Sequence, residues 1–268
     1  MKAVGGTLAG LEIWELAFIP SILNNAETWV DIDQNSIKIL NNLQNMMFRY
    51  LLNTPRSTPK PFLLWELGCL SMENRIIKQK LNFFYHLVNL PDTTLAKEMV
   101  NVQISYEFPG LARECQKFIT SMNLPDITNI NLTKLEWKKI VKKAIREKNK
   151  KDLLKEIEKL DKVKEYSVEN FELKEYFKTL NLNDARNIFK FRSKMTQYVK
   201  RNYSHDKRNI DSLWKCDSCK QCIDTQSHMM WCEAYRGIRE NLNFNDNKDL
   251  ALYIGKVLDI REKLDTRK

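Results

Sequence analysis

Apolar positions recur along this chain with the 3.6-residue period of a helix far more often than with the two-residue period of a strand. Ile37, Leu40, Leu43, Met47 and Tyr50 mark one helical face, which the Pro-rich stretch TPRSTPKP then ends. Ile77, Leu81, Phe84 and Val88 repeat the pattern up to Pro91. Leu111, Cys115, Phe118 and Met122 repeat it between Pro109-Gly110 and Pro125. Thr133-Lys-Leu-Glu136 is a capping box, in which side chain and backbone at a helix start satisfy each other's polar groups, so a new helix begins there. Its apolar side is Trp137, Ile140, Val141 and Ala144, and Lys138, Lys139, Lys142, Lys143 and Arg146 take the other. Ile188, Met195 and Val199 predict a helix over about 184–200, and Leu250, Ile254, Val257 and Leu264 predict a last one. Only short pieces such as ETWVDID read as strand. The expected fold class is mainly α.

Charge divides the chain. Residues 1–125 hold 11 Lys+Arg and 11 Asp+Glu, so the whole net charge of +10 falls on residues 126–268. Together with the break at NLPDITNINL, this suggests a nearly neutral helical region over 1–125. A basic helical region follows over 126–209, then a small module with a terminal helix over 210–268. A hydrophobic content of 43% argues against disorder, and seven Gly and seven Pro argue against a loop-rich β fold. No apolar run reaches the roughly 18 residues of a membrane span. Glu12 and Glu15 interrupt the apolar N-terminal stretch where a signal peptide is uniformly apolar. The expectation is an intracellular, nuclear or cytoplasmic protein in a reducing compartment, where clustered cysteines serve metals more often than disulfides. Cys69 and Cys115 stand alone on apolar stretches and read as core thiols.

Basic excess in one region favours a polyanionic partner. Residues 134–165 carry 13 Lys/Arg against seven acids, consistent with a solvated helix face with i,i+4 pairs among Asp152, Glu156, Lys155 and Lys159. Residues 186–208 carry eight Lys/Arg and one acid, interleaved with Phe189, Phe191, Tyr198 and Tyr203. Cations there can bind phosphates and aromatic faces can stack on unpaired bases. The candidate nucleic-acid contacts are Arg186, Lys190, Arg192, Lys194, Lys200 and Arg201.

The most specific chemistry lies in CDSCKQCIDTQSHMMWC, Cys216 to Cys232. Cys216-x2-Cys219 aims two thiols at one point, and His228-x3-Cys232 places two more donors at i and i+4 of one helix face. A Cys3His set is the closed donor set of a structural zinc, and four protein ligands leave no open position for catalysis. Cys222 is a spare thiol able to replace a ligand. The spacing is longer between its halves than that of a retroviral-type knuckle and lacks that motif's glycine.

The window WKCDSCKQCIDTQSHMMWCEAYRGIR resembles the cysteine–histidine segment downstream of the polymerase in non-LTR, LINE-like retrotransposon reverse transcriptases. Cys216, Cys219, Asp224-Thr225-Gln226, His228, Cys232 and Tyr235 carry the match. Upstream, IPSILNNAETW is similar to the segment leading from palm to thumb in those enzymes, and RYLLNTPRSTPKPFLLWELGCLSMENRI to thumb sequence. The resemblance spans about residues 10–262. It implies a helical, thumb-like first half, binding to RNA or a primer–template, and an association with an upstream polymerase domain of the same element. The chain contains no adjacent Asp-Asp pair to anchor two catalytic metals. The expectation is therefore a non-catalytic, nucleic-acid-binding C-terminal fragment. The alternative is a zinc-stapled helical adaptor for protein partners.

Overall fold

The computed structural model describes residues 6–127, 132–160, 171–196 and 215–266. Every regular element among them is helical, and an isolated antiparallel bridge joins Lys215 and Ile223. The fold is mainly α. Helix α1 (Gly6–Ile13) continues through a π turn (Trp14–Phe18) into α2 (Ile19–Ile22). The segment read as a strand piece instead starts with a 3-10 turn, Ala26–Thr28, and leaves Trp29 only partly buried. Then come α3 (Gln34–Leu52), α4 (Lys60–Leu67), α5 (Met72–Val88), α6 (Leu95–Ser105), α7 (Leu111–Ser121) and α8 (Lys134–Glu158). The later helices are α9 (Glu175–Thr179), α10 (Leu182–Arg192), α11 (Gln226–Trp231), α12 (Arg236–Arg239) and α13 (Asn247–Asp265). No described helix is long and apolar enough to cross a membrane.

The chain forms two compact units built from discontinuous stretches. One comprises Ile13–Met47 and Gly68–Glu156. Its core gathers Leu81, Phe84 and Tyr85 of α5, Cys115 of α7, and Trp137, Val141 and Ile145 of α8. The Trp137 indole donates to the Leu81 carbonyl at 3.2 Å and its ring stacks on Tyr85. At the other end of α5, Asn149 of α8 accepts from the Ser71 N–H at 3.0 Å and from the Asn74 amide at 2.9 Å. These anchors run α5 and α8 antiparallel. The capping box forms as the sequence suggests, with Glu136 accepting from the Thr133 N–H at 2.8 Å and Thr133 accepting from the Glu136 N–H. Burial pushes the Cys115 thiol up to about 12, and the Cys69 thiol likewise. Both are core residues.

The other unit comprises Met1–Glu12, Phe48–Leu67 and Ile157–Lys268. An aromatic core joins Phe62, Phe177 and Phe189, with Trp65 against Phe171 beside them. Helix α10 packs along α13. It ends at Arg192 rather than near 200, because Lys194 takes a left-handed conformation (φ 55°) and the Met195 N–H turns back to the Lys190 carbonyl at 2.8 Å. That reversal is a helix stop.

Candidate metal centre

The donor atoms of Cys216, Cys219, His228 and Cys232 all lie within 4.8 Å of one another, so these four residues can hold a metal ion. Cys216 Sγ stands 4.0 Å from Cys232 Sγ, and Cys219 Sγ stands 3.3 Å from His228 Nε2. Two local devices build the site. The first is the turn after Cys216, closed by the Cys216 N–H to the Cys222 carbonyl and the Lys220 N–H to the Cys216 carbonyl, each 2.8 Å. Lys220 sits there at φ 57°, taking the left-handed position that glycine fills most easily. The second is α11, whose start is capped by the Thr225 hydroxyl accepting from the His228 N–H at 2.9 Å. Helix α11 stops at Trp231, so Cys232 is not on its face. It follows in extended backbone, and its thiol still reaches the cluster. Cys222 is exposed and contributes backbone only.

Electrostatics separate the thiols. Burial works against the Cys219 thiolate, but the backbone N–H groups of Cys222 and Gln221 outweigh it and bring its pKa below the usual thiol value. Burial, reinforced by the neighbouring Cys216 and Cys219, pushes Cys232 up to about 12. Three thiolates in this space require a cation among them. Burial, aided by Arg261, lowers the His228 pKa and favours the neutral imidazole that a metal accepts.

A layer of polar residues surrounds the donors. Asp224, 2% exposed, pairs with Arg261 of α13 at 2.9 Å. Arg261 also donates to the Tyr235 hydroxyl at 3.0 Å and approaches Cys216 Sγ at 3.8 Å. Tyr235 bonds the Ser218 hydroxyl, and Arg239 donates to the Cys232 carbonyl at 2.6 Å. Gln226 donates to the Phe191 carbonyl at the end of α10. The run Asp224-Thr225-Gln226 thus supplies in turn an ion-pair partner, a helix cap and an anchor to α10. Sequence reasoning missed Arg261, which carries no local motif and lies 29 positions beyond Cys232.

The basic residues read as nucleic-acid contacts are placed differently from the metal donors. Arg186 donates to the Leu51 carbonyl at 2.8 Å. Lys190 is 6% exposed, and burial, with Arg186 nearby, lowers its pKa. Arg192 pairs at 3.2 Å with the fully buried Glu66, which also accepts from the Tyr176 hydroxyl. Lys194 is partly buried in the stop of α10. Phe189 lies in the aromatic core, unavailable for base stacking. Lys200, Arg201, Tyr198 and Tyr203 lie outside the described residues. By contrast Lys134, Lys138, Lys139, Lys142, Lys143, Arg146, Lys151 and Lys155 of α8 are exposed. Asp152 of this helix pairs with Lys148 at 2.7 Å, one turn before it, rather than with Lys155 or Lys159. No family model matches the chain, and no curated protein or solved structure does either.

Proposed function

We propose that this protein is a non-catalytic, zinc-stabilised nucleic-acid-binding module, akin to the region downstream of the polymerase in non-LTR reverse transcriptases. The observation that carries the nucleic-acid reading is the exposed side of α8, where eight basic residues face four exposed acids, Glu136, Glu147, Glu156 and Glu158. Such an excess attracts phosphates and releases their counterions. Its partner is RNA, DNA or both, and an upstream polymerase domain of the same element is a further one. Nuclear or cytoplasmic residence accords with such partners.

Zinc is the metal that suits the donors. A tetrahedral ion with Zn–S of about 2.3 Å and Zn–N of about 2.0 Å sets two sulfurs about 3.8 Å apart, and sulfur and nitrogen about 3.5 Å apart. The corresponding spacings here are 4.0 and 3.3 Å. Thiolate and imidazole together suit this borderline-soft ion. It would cross-link the Cys216 turn, α11 and Cys232, with no position left for substrate. The reading of no polymerase activity rests on the missing palm carboxylate pair.

The deciding experiment is fluorescence anisotropy of the full chain with labelled single-stranded RNA and with duplex DNA across salt concentration. Binding that weakens steeply with salt supports the reading. No affinity at about 50 mM salt, where electrostatic binding is strong, overturns it. The adaptor reading then gains, and one feature favours it. Leu95, Met99, Val102, Tyr106 and Phe108, on and just after α6, are 41–72% exposed.

A further inference from the structure

Like charges gather where α5 and α8 run side by side. The anchors Asn74–Asn149 and Leu81–Trp137 bracket Lys78 on α5, and between them on α8 lie Lys138 and Lys142. Lys138 and Lys142 are exposed, whereas Lys78 is partly buried beside them. Burial lowers the Lys78 pKa, and Arg75, Lys142 and Lys138 lower it further. The carboxylate that opposes them is Glu15, and Arg75 already holds it with both ends of its guanidinium. Such a group of cations repels itself, and an anion placed over it relieves that repulsion.

The group also has a direction. Lys134, Lys138 and Lys142 follow one another at four-residue steps, all exposed. At 1.5 Å per residue these steps are about 6 Å each, so the row extends about 12 Å along the helix. A single small anion needs one pocket, whereas a row of this length suits a chain of anions. The basic groups on α10 do not offer an equivalent surface, since Lys190 is buried and Arg192 is committed to Glu66.

Resting on the nucleic-acid reading above, we infer that the α5–α8 face carrying Lys78, Lys138 and Lys142, prolonged by Lys134, is the seat of the phosphate backbone of a single nucleic-acid strand. The contacts are to phosphates, so they are independent of base sequence.

The test uses the full zinc-loaded chain and a fluorescein-labelled single-stranded RNA. Lys138→Gln/Lys142→Gln removes two charges from the seat, and Arg113→Gln/Lys117→Gln removes two on α7, outside the basic side of α8. All four positions are exposed, and circular dichroism and zinc content check that each variant is folded. The first pair should weaken binding by about tenfold or more and lower the salt slope by about 1.4. The second should weaken it by less than about threefold. A second readout needs no mutation at the seat: after ¹³C-dimethylation of lysines, the Lys78 resonance should titrate at higher pH with RNA bound than without. Equal losses in both pairs, or no loss at Lys138/Lys142 with wild-type binding intact, overturn the seat but leave the nucleic-acid reading standing. No binding by the wild type overturns both. Wild-type binding to anionic phosphatidylserine vesicles that is lost in the Lys138/Lys142 pair and kept in the other, with no RNA binding, assigns the face to a membrane surface instead.

Discussion

Cys219 and Cys222 lie three residues apart, yet they do different work. Cys219 faces His228 at 3.3 Å, and Cys222 points into solvent while its carbonyl closes the turn. Cys219→Ser should therefore lose metal, and Cys222→Ser should retain one ion per chain, both read by native mass spectrometry. In the native protein at mild alkaline pH, iodoacetamide should label Cys222 and spare Cys69 and Cys115, whose thiols burial pushes up to about 12. Adding a chelator should bring Cys216, Cys219 and Cys232 into the labelled set. Lys190 offers a second test at this scale. Its folded pKa lies below its unfolded value, so between the two the unfolded chain binds more protons. Its burial thus weakens the fold at neutral pH, and the loss is recovered as pH rises through that window. Lys190→Met keeps the apolar stem, removes the charge, and should raise stability by about 1 kcal/mol in urea denaturation at pH 7. A strong fall in stability would mean that the ammonium has a partner that matters.

At the scale of elements, capping and periodicity were legible because they are local. The Thr133–Glu136 box opens α8 where the sequence indicates, and Thr133→Ala should cost about 1 kcal/mol, measured by thermal denaturation. The end of α10 was not legible. Its apolar positions continue past Arg192, but Met195 is buried by a backbone reversal, not by helical continuation. Helix α13 shows the same limit from the other side. Its period is visible, yet Arg261 on it reads as an ordinary exposed cation until the structure places it between Asp224 and Cys216. Arg261→Met should destabilise this unit by about 3–5 kcal/mol, because it breaks a buried ion pair by removing one side of it. It should also speed zinc release to a colorimetric chelator. The double variant Arg261→Met/Asp224→Asn should recover much of the stability, and its failure to do so would argue that the pair is incidental.

For the whole molecule, the two compact units have different sources of order. The unit of Ile13–Met47 and Gly68–Glu156 has a continuous apolar core around Trp137 and no part in the metal cluster. The other unit carries the cluster and the α10–α13 packing. Metal removal should therefore reduce amide protection around residues 215–235 and along α13, and leave α5, α7 and the Trp137 region of α8 protected. Hydrogen exchange with and without chelator measures this directly. Uniform loss of protection across both units would show that the metal supports the whole chain.

What the sequence determined by itself is what depends on neighbours along the chain. The helical class and the cap of α8 follow from spacing, because side chains a few residues apart meet whatever the rest of the fold does. Spacing also singles out Cys216, Cys219, His228 and Cys232, but the fold brings them together, with Cys232 past the end of α11 rather than on its face. Tertiary structure alone decided which cations face water. Arg186, Lys190 and Arg192 look like a binding stripe in sequence, but Lys190 is buried, and the Leu51 carbonyl and Glu66 hold the partly exposed Arg186 and Arg192. The lysines of α8, which read as an ordinary solvated face, become one side of a charged row once α5 sets Lys78 beside them. Arg261 joins the metal centre for the same reason. Burial and charge are properties of the space around a residue, and segments distant in sequence fill that space.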